Sequence, residues 1–304
     1  MDSPWQRDGD WLRGALHVHT SNSDGELAPR AAARHYARAG YDVVALTDHR
    51  HRSEAPSSPG LVVLPGAELN CVLPEDRDGH VLGLGIEREP TELEGERRGL
   101  AEIGDWIVAA GGVAFLAHPY WTGVRAGGLE LPPSVTGIEV YNAGCELEVG
   151  RGLSSVHWDE LLESGRLCPA LATDDSHHPG FDSDRAWTWI RAERTRESVL
   201  DALRTGRFYG STGPLIQDVE LSGGHVVVRC SPARSVTLLM GHSSGTAVTA
   251  GRLGYRFGAE ILDVSADDWI VEARLDLPDT APFARLEVVD AKGRRAWTNP
   301  LWPL

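Results

Sequence analysis

From residue 12 to about 213, short and nearly continuous apolar runs alternate with stretches of helical periodicity. LHVHT, DVVALTDH, LVVLPGAE, HVLGLGI, GVAFLAHP, GIEVYN and CPALATDDSH read as strands. Runs such as VVAL and VAFLA do not alternate with polar residues, as expected of parallel strands covered on both faces. Between them, PRAAARHYARAG, a segment near 93–110 and the stretch from Thr195 to Gly206 read as helices. Pro29 suits a first helical turn, while Gly40 and Gly111-Gly112 suit helix exits. The βα alternation predicts a barrel or a doubly wound sheet. From about 215 the pattern changes: DVELSGGHVVVRC reads as a hairpin around Gly223-Gly224, WIVEARLDL alternates strictly, and ARLEVVDAKGRRAW reads as a second hairpin. An α/β domain over residues 1–213, followed by a small all-β, sandwich-like domain over 214–304, is the expected organisation.

Composition narrows the class. With 304 residues, 41% of them apolar, the chain is long enough for a substantial core. No apolar run approaches the roughly 20 residues that cross a bilayer, and the N-terminus lacks the pattern of a secretory signal, so a cytoplasmic, non-membrane chain is expected. The four cysteines, Cys71, Cys145, Cys168 and Cys230, have no C-x-x-C spacing and read as structural thiols. A net charge of −15 argues against long nucleic acids as partners and leaves small anionic substrates open.

The polar residues that close the apolar runs carry the chemistry, since catalytic groups in α/β barrels project from the C-terminal ends of strands. LHVHT supplies His17 and His19, VVALTDH ends in Asp48 and His49, VVLPGAE in Glu68, VAFLAHP in His118, and CPALATDDSH in Asp174, Asp175 and His177. His80 instead heads its run, HVLGLGI. On an extended strand His17 and His19 share a face and can grip one ion. Six of the twelve histidines fall at such positions together with several acids, and metal binding explains them most economically. Imidazole and carboxylate ligands without thiolate suit zinc, iron or manganese.

HVHTSNSDG, TDH, GAE, GHV, AHP and D-S-H, in this order over residues 14 to about 213, resemble the motifs of the PHP family, named for polymerase and histidinol phosphatase. The resemblance implies a distorted (β/α)7 TIM-like barrel that holds two to three divalent ions (Zn, Mn or Fe) and hydrolyses phosphoesters of a small molecule through a metal-bridging hydroxide. Carried over by motif, His17, His19, Glu68 and Asp175 hold one ion. Glu68 bridges to a second ion held by His80 and His118. Asp24, on the turn after His19, holds the third with His49 and His177. Glu68, Asp175 and His177 are the expected catalytic residues. HPYW, IEVYN, RFYGSTGP and WTNP are similar to a branch that includes ester and carbamate hydrolases, so a carboxylic ester or carbamate is the alternative substrate, and a non-catalytic metal-binding module the alternative class.

Other residues have lesser expected roles. Asp48 and Asp174 are expected to orient ligands through hydrogen bonds. His178, Arg185, Tyr120 and Asn142 adjoin the motifs and are the candidate substrate contacts. Trp121, Trp187 and Trp189 read as core or pocket wall. His35, His51, His157, His225 and His242 read as structural or solvent-facing.

Overall fold

The computed structural model describes residues 4–56, 59–251 and 258–301. Its strands are β1 (Asp10–Ala15), β2 (Val43–Leu46), β3 (Val62–Leu73), β4 (Arg77–Leu84), β5 (Val113–Leu116), β6 (Val135–Asn142), β7 (Ala170–Thr173), β8 (Trp187–Ala192), β9 (Phe208–Ser211), β10 (Ile216–Ser222), β11 (His225–Ala233), β12 (Ser235–Leu239), β13 (Gly245–Thr249), β14 (Ala259–Val264), β15 (Ile270–Asp276), β16 (Arg285–Val289) and β17 (Arg295–Thr298). The helices are α1 (Pro29–Arg38), α2 (Leu100–Ala109), α3 (Pro119–Thr122), α4 (Ala143–Val149), α5 (Ser155–Glu163) and α6 (Arg196–Thr205). Thirteen strands make one sheet, in the order β13-β12-β16-β17-β9-β8-β1-β2-β3-β4-β5-β6-β7, and β10-β11-β15-β14 make a separate antiparallel sheet.

The continuous apolar runs β2 and β5 are buried along their whole length. β1, β2 and β3 run parallel, as do β5, β6 and β7. The expected sevenfold βα repetition breaks at β4, which is antiparallel to both β3 and β5. Only the short turn Pro74–Asp76 joins β3 to β4, too little chain for the crossover that a parallel pair requires. This reversal explains why His80 heads its run. An antiparallel strand begins where its parallel neighbours end, so His80 pairs with Asn70 near the end of β3 and its carbonyl accepts from Ala117 N just past β5.

The sheet curls until its β7 end returns to β1 and β8. Ala172 on β7 and Thr188 on β8 exchange hydrogen bonds through the threonine hydroxyl, at 3.0 and 3.3 Å, and a parallel bridge joins Val18 to Ser176. The helices pack by the faces their sequences predict. Ala32, Ala33 and Tyr36 form the buried stripe of α1, and α6 starts on the Thr195 side chain, which accepts from Ser198 N, and stops at Gly206 in the left-handed region. Among the described residues no helix is long and apolar enough to cross a membrane.

After residue 216 both predicted hairpins are present. Ser222 pairs with His225 across Gly223 and Gly224, both at positive φ as a tight two-residue hairpin turn demands, and Val289 pairs with Arg295. The four-stranded sheet covers an apolar layer that includes Val226, Val228, Val236, Ala273, Leu275 and Leu286. β16 and β17 return to the large sheet through β9, so the two halves of the chain share one ladder. Asn299 extends this union: its Oδ1 accepts from Ala170 N at the start of β7, and its Nδ2 donates to Gly206 and Phe208 carbonyls. Arg285 on β16, almost wholly buried over the Trp158 ring, donates two 2.7 Å hydrogen bonds to Asp159 on α5.

Removing one partner of this pair strands a buried charge. Asp159→Leu, which leaves the buried guanidinium without its partner, is therefore expected to lower unfolding free energy in denaturant titrations by about 3 kcal/mol. The double variant with Arg285→Met should recover most of that loss. Equal stability of the single variant and the parent would show that the pair contributes nothing.

Candidate metal centre

Strand alternation continues past β1 as expected. His17 and His19 are fully buried on one face, while Val18 enters the apolar cluster behind the sheet. The chain then turns sharply. Asp48 holds the turn by accepting from Thr20 N and Thr20 Oγ1, each at 2.6 Å, and from Ser23 Oγ at 2.7 Å. Asp48 thus orients the backbone that carries ligands, not an imidazole. Gly25 closes the turn against His19, where a Cβ would stand 2.4 Å from the His19 carbonyl atoms. The turn delivers Asp24 to within 3.5 Å of His19 Nδ1, His49 Nε2 and His177 Nε2.

Glu68 stands at the centre. Its Oε1 faces His80 Nδ1 at 3.0 Å, His118 Nε2 at 3.1 Å and His17 Nε2 at 3.4 Å. Its Oε2 faces His49 Nδ1 at 2.9 Å and His19 Nε2 at 3.3 Å. Beside it, His17 Nε2, His19 Nε2 and Asp175 Oδ1 converge with mutual separations of 3.1, 3.1 and 3.2 Å. Ligands about 2.0 Å from a tetrahedral ion stand about 3.3 Å apart, close to this spacing. All nine residues read as ligands from sequence therefore gather at one end of the sheet. Potential ligand atoms fall into the sets His17-His19-Asp175, His49-Glu68-His80, His19-Asp24-His49-His177 and His118-Cys145-Asp175. His49 thus joins His80 at Glu68 as well as reaching Asp24, a sharing the motif-based grouping did not include.

Three observations show that this donor set fits cations. First, His80 Nδ1 and Asp175 Oδ1 are buried in ion-pair contact with Glu68 and with His17 and His19 but make no well-formed hydrogen bond among the described residues, a cost that coordination removes. Second, among the described residues every ion pair of Glu68, Glu139, Asp175 and Asp24 is with histidine and none is with Arg or Lys. Third, Arg50, His118 and Asp175 adopt left-handed φ of 58°, 28° and 53°. Such conformations cost non-glycine residues roughly 1–3 kcal/mol each and persist where packing imposes them for a purpose. Electrostatics follow from burial and crowding. Burial opposes charge on Glu68 and Asp175, yet the imidazoles around them hold both carboxyls far below the usual range. Conversely, burial would drive protons off His17 and His19, but Asp175 and Glu68 outweigh it, and His19 is raised to about 9.

Glu139, inside the apolar run GIEVYN, was not singled out from sequence. It is fully buried on β6, where its Oε1 accepts from His17 Nδ1 at 2.8 Å and Thr173 Oγ1 at 2.6 Å, and its Oε2 from His118 N at 2.8 Å and Asn142 Nδ2 at 2.9 Å. Holding the proton on His17 Nδ1 would leave Nε2 as the lone-pair face toward Asp175 once a cation displaces the second proton. Its only sequence signal was an acid interrupting a strand otherwise covered on both faces. Asp174 likewise serves backbone, accepting from the amides of Asp184, Arg185 and Ala186 and from the Tyr36 hydroxyl.

The expected substrate contacts divide. Asn142 is completely buried, with Nδ2 on Glu139 and Asp175 and Oδ1 accepting from Cys145 N, so it braces the candidate ligand Asp175 and is closed off from solvent. The Arg185 guanidinium is spent on the Phe181 carbonyl, at 2.7 and 3.1 Å. His178 lines a 530 Å³ cleft with His177 and Asp24. Tyr120 lies outside both clefts that reach the centre, over the Arg151 side chain. Trp121 packs its ring near His80 and His118. A second cleft of 770 Å³, lined by His49, Arg50 and Asn70, meets the first at Asp24. All four cysteines are buried and free.

Two outcomes follow. Glu139→Gln places an amide where four donors converge and frees the His17 tautomer, so affinity for the tightest ion should fall about 10- to 100-fold by chelator competition. Unchanged affinity would deny Glu139 this part. Because His19 keeps its proton up to about pH 9, ion uptake near neutral pH must expel it. Calorimetry in buffers of differing ionisation enthalpy should show about one or more protons released, with affinity still rising through pH 8; ordinary imidazoles would give a plateau above roughly pH 7.

No family model and no curated protein matches the chain. Among solved structures, it is similar to a two-domain protein from Bacteroides vulgatus described as containing a predicted PHP-like metal-dependent phosphoesterase, at 16% identity, with 97% of each chain covered and a TM-score of 0.52. An amidohydrolase from Chromobacterium violaceum aligns with 56% of this chain and 89% of its own, at 18% identity and a TM-score of 0.38. Along nearly its whole length, the chain has the fold of the two-domain PHP-like protein from Bacteroides vulgatus.

Proposed function

We propose that the protein is a metal-dependent hydrolase of small-molecule phosphoesters, and that the curled sheet is the distorted barrel of a PHP domain with residues 214–304 as its β appendage. The observation that carries this reading is the convergence of five imidazoles on one buried carboxylate, Glu68, beside a second set on Asp175. His17, His19, Asp175 and Glu68 would hold one ion, Glu68, His49, His80 and His118 a second, and Asp24, His49 and His177 an outer one. Zinc, manganese or iron bound there would supply an activated water at neutral pH and positive charge against the phosphoryl oxygens.

The chain's own groups do the rest. Glu139 keeps His17 in one tautomer. His177 fixes its ring by donating from Nδ1 to the Asp175 carbonyl at 3.0 Å, which turns Nε2 to the rim. Burial and the neighbouring His19 hold His177 below the usual imidazole range, so it stays neutral near pH 7 and ready to coordinate or to accept a proton. Arg50, exposed beside His49 in the larger cleft, offers positive charge to an anionic ester. The overall −15 charge disfavours long nucleic acids and leaves a small phosphorylated molecule as substrate. The same groups serve a carbonyl centre equally, so bond type is decided by assay.

The test is a panel of nitrophenyl phosphate mono- and diesters and carboxylic esters, run with elemental analysis. Phosphoester turnover that Glu68→Gln lowers by about 10³-fold or more, with loss of bound metal, is the expected result. Turnover confined to carboxylic esters would replace the phosphoester reading, and none with any ester in the metal-loaded protein would leave a binding module.

A further inference from the structure

We infer that the 530 Å³ cleft between α4 and the 177–186 loop receives a planar aromatic group of the substrate, with the Phe181 ring as its stacking surface; this rests on the hydrolytic reading of the centre. The cleft is lined both by Leu147, Phe181 and His178 and by the candidate ligands Asp24, Asp175 and His177. A group seated there lies directly against the atoms that would hold the ions. Phe181 is 63% exposed and Leu147 44%, so two large apolar side chains stand in solvent at the mouth of the most polar site in the molecule.

An exposed phenylalanine on a loose loop would carry no meaning, but this loop is clamped. Asp182 accepts from Ser176 Oγ at 2.7 Å and from the amides of His177 and His178 at 2.7 and 2.8 Å. Phe181 N donates to the His178 carbonyl at 2.9 Å, and its own carbonyl takes both hydrogen bonds of the Arg185 guanidinium. On the far side Asp174 ties down the amides of Asp184, Arg185 and Ala186. Two largely buried carboxylates and one guanidinium thus fix the backbone under a ring that is itself left in water. A ring held on a rigid backbone loses little freedom when another ring stacks on it, which makes it a preorganised binding surface. Phe181 and the exposed His178 imidazole, both aromatic rings, line this cleft, and aromatic walls favour a planar guest over an aliphatic one.

Calorimetry on the full-length, metal-loaded protein tests this with size-matched pairs, phenylphosphonate against cyclohexylphosphonate and benzoate against cyclohexanecarboxylate. Stacking on one aromatic side chain is expected to favour the planar member about tenfold. Phe181→Leu, which keeps apolar bulk without a ring face, should bring the ratio close to one, and Phe181→Trp should retain it. Metal content by elemental analysis confirms that each variant keeps its centre. A ratio near one in the parent protein, or a full ratio in Phe181→Leu, overturns the proposal. A planar preference in the phosphonate pair supports both the cleft and the phosphoester reading. The same preference confined to the carboxylate pair upholds the cleft while removing the phosphoester reading.

Discussion

Three carboxylates, Glu68, Glu139 and Asp175, are buried at one end of a sheet, with imidazoles as their ion-pair partners. A buried charge without compensation is costly, so the fold either protonates these histidines or exchanges the protons for cations. The rest of the arrangement serves this constraint. Glu139 is saturated by four donors and acts as a fixed anion, whereas Glu68 and Asp175 keep oxygens turned inward. The strained backbone at Arg50, His118 and Asp175 lies in the same small volume, where local conformational cost is offset by packing around it.

Topology brings these groups together. Parallel strands deliver residues at their C-terminal ends, and the one antiparallel strand delivers at its start, so a single rim collects side chains from both directions. The curl that brings β7 back to β1 and β8 then sets Asp175 against His17 and His19, which are more than 150 positions apart in the chain. Short loops pinned by Asp48, Asp174 and Asp182 finish the rim. Each of these acids is occupied with backbone amides or hydroxyls, which separates residues that shape the site from residues that face its centre.

Much of this was legible in the sequence. Periodicity located most of the strands that frame the site, and polar residues closing apolar runs located seven of the nine ligand candidates, because a histidine or acid in that position has few other uses; His80 heads its run, and Asp24, on a turn, came from the resemblance to the PHP motifs. The orientation of β4 was not legible, since an apolar run has no direction; only the brevity of the Pro74–Asp76 connection encodes it. Glu139, and the bracing role of Asn142 in place of the expected substrate contact, escaped for a related reason. Their roles are set by partners on β1, β5 and β7, and one-dimensional spacing does not report which strands become neighbours. Asp182 was hidden in a polar loop, where an acid that caps three donors looks like any solvated side chain.

The C-terminal strands change how this site comes into being. Every candidate ligand lies within the first 177 residues, yet the amide of Ala170, at the start of the strand that leads to Asp175, finds its acceptor in Asn299. During synthesis the ligand-bearing segments leave the ribosome well before that asparagine does, with β7 carrying an unanswered buried donor and β9 lacking its β17 neighbour. The centre is therefore chemically encoded early and mechanically completed late. Until Asn299 emerges, the amide that opens the strand leading to Asp175 lacks its native acceptor, so the last residues of the sheet set the geometry of a site encoded far upstream.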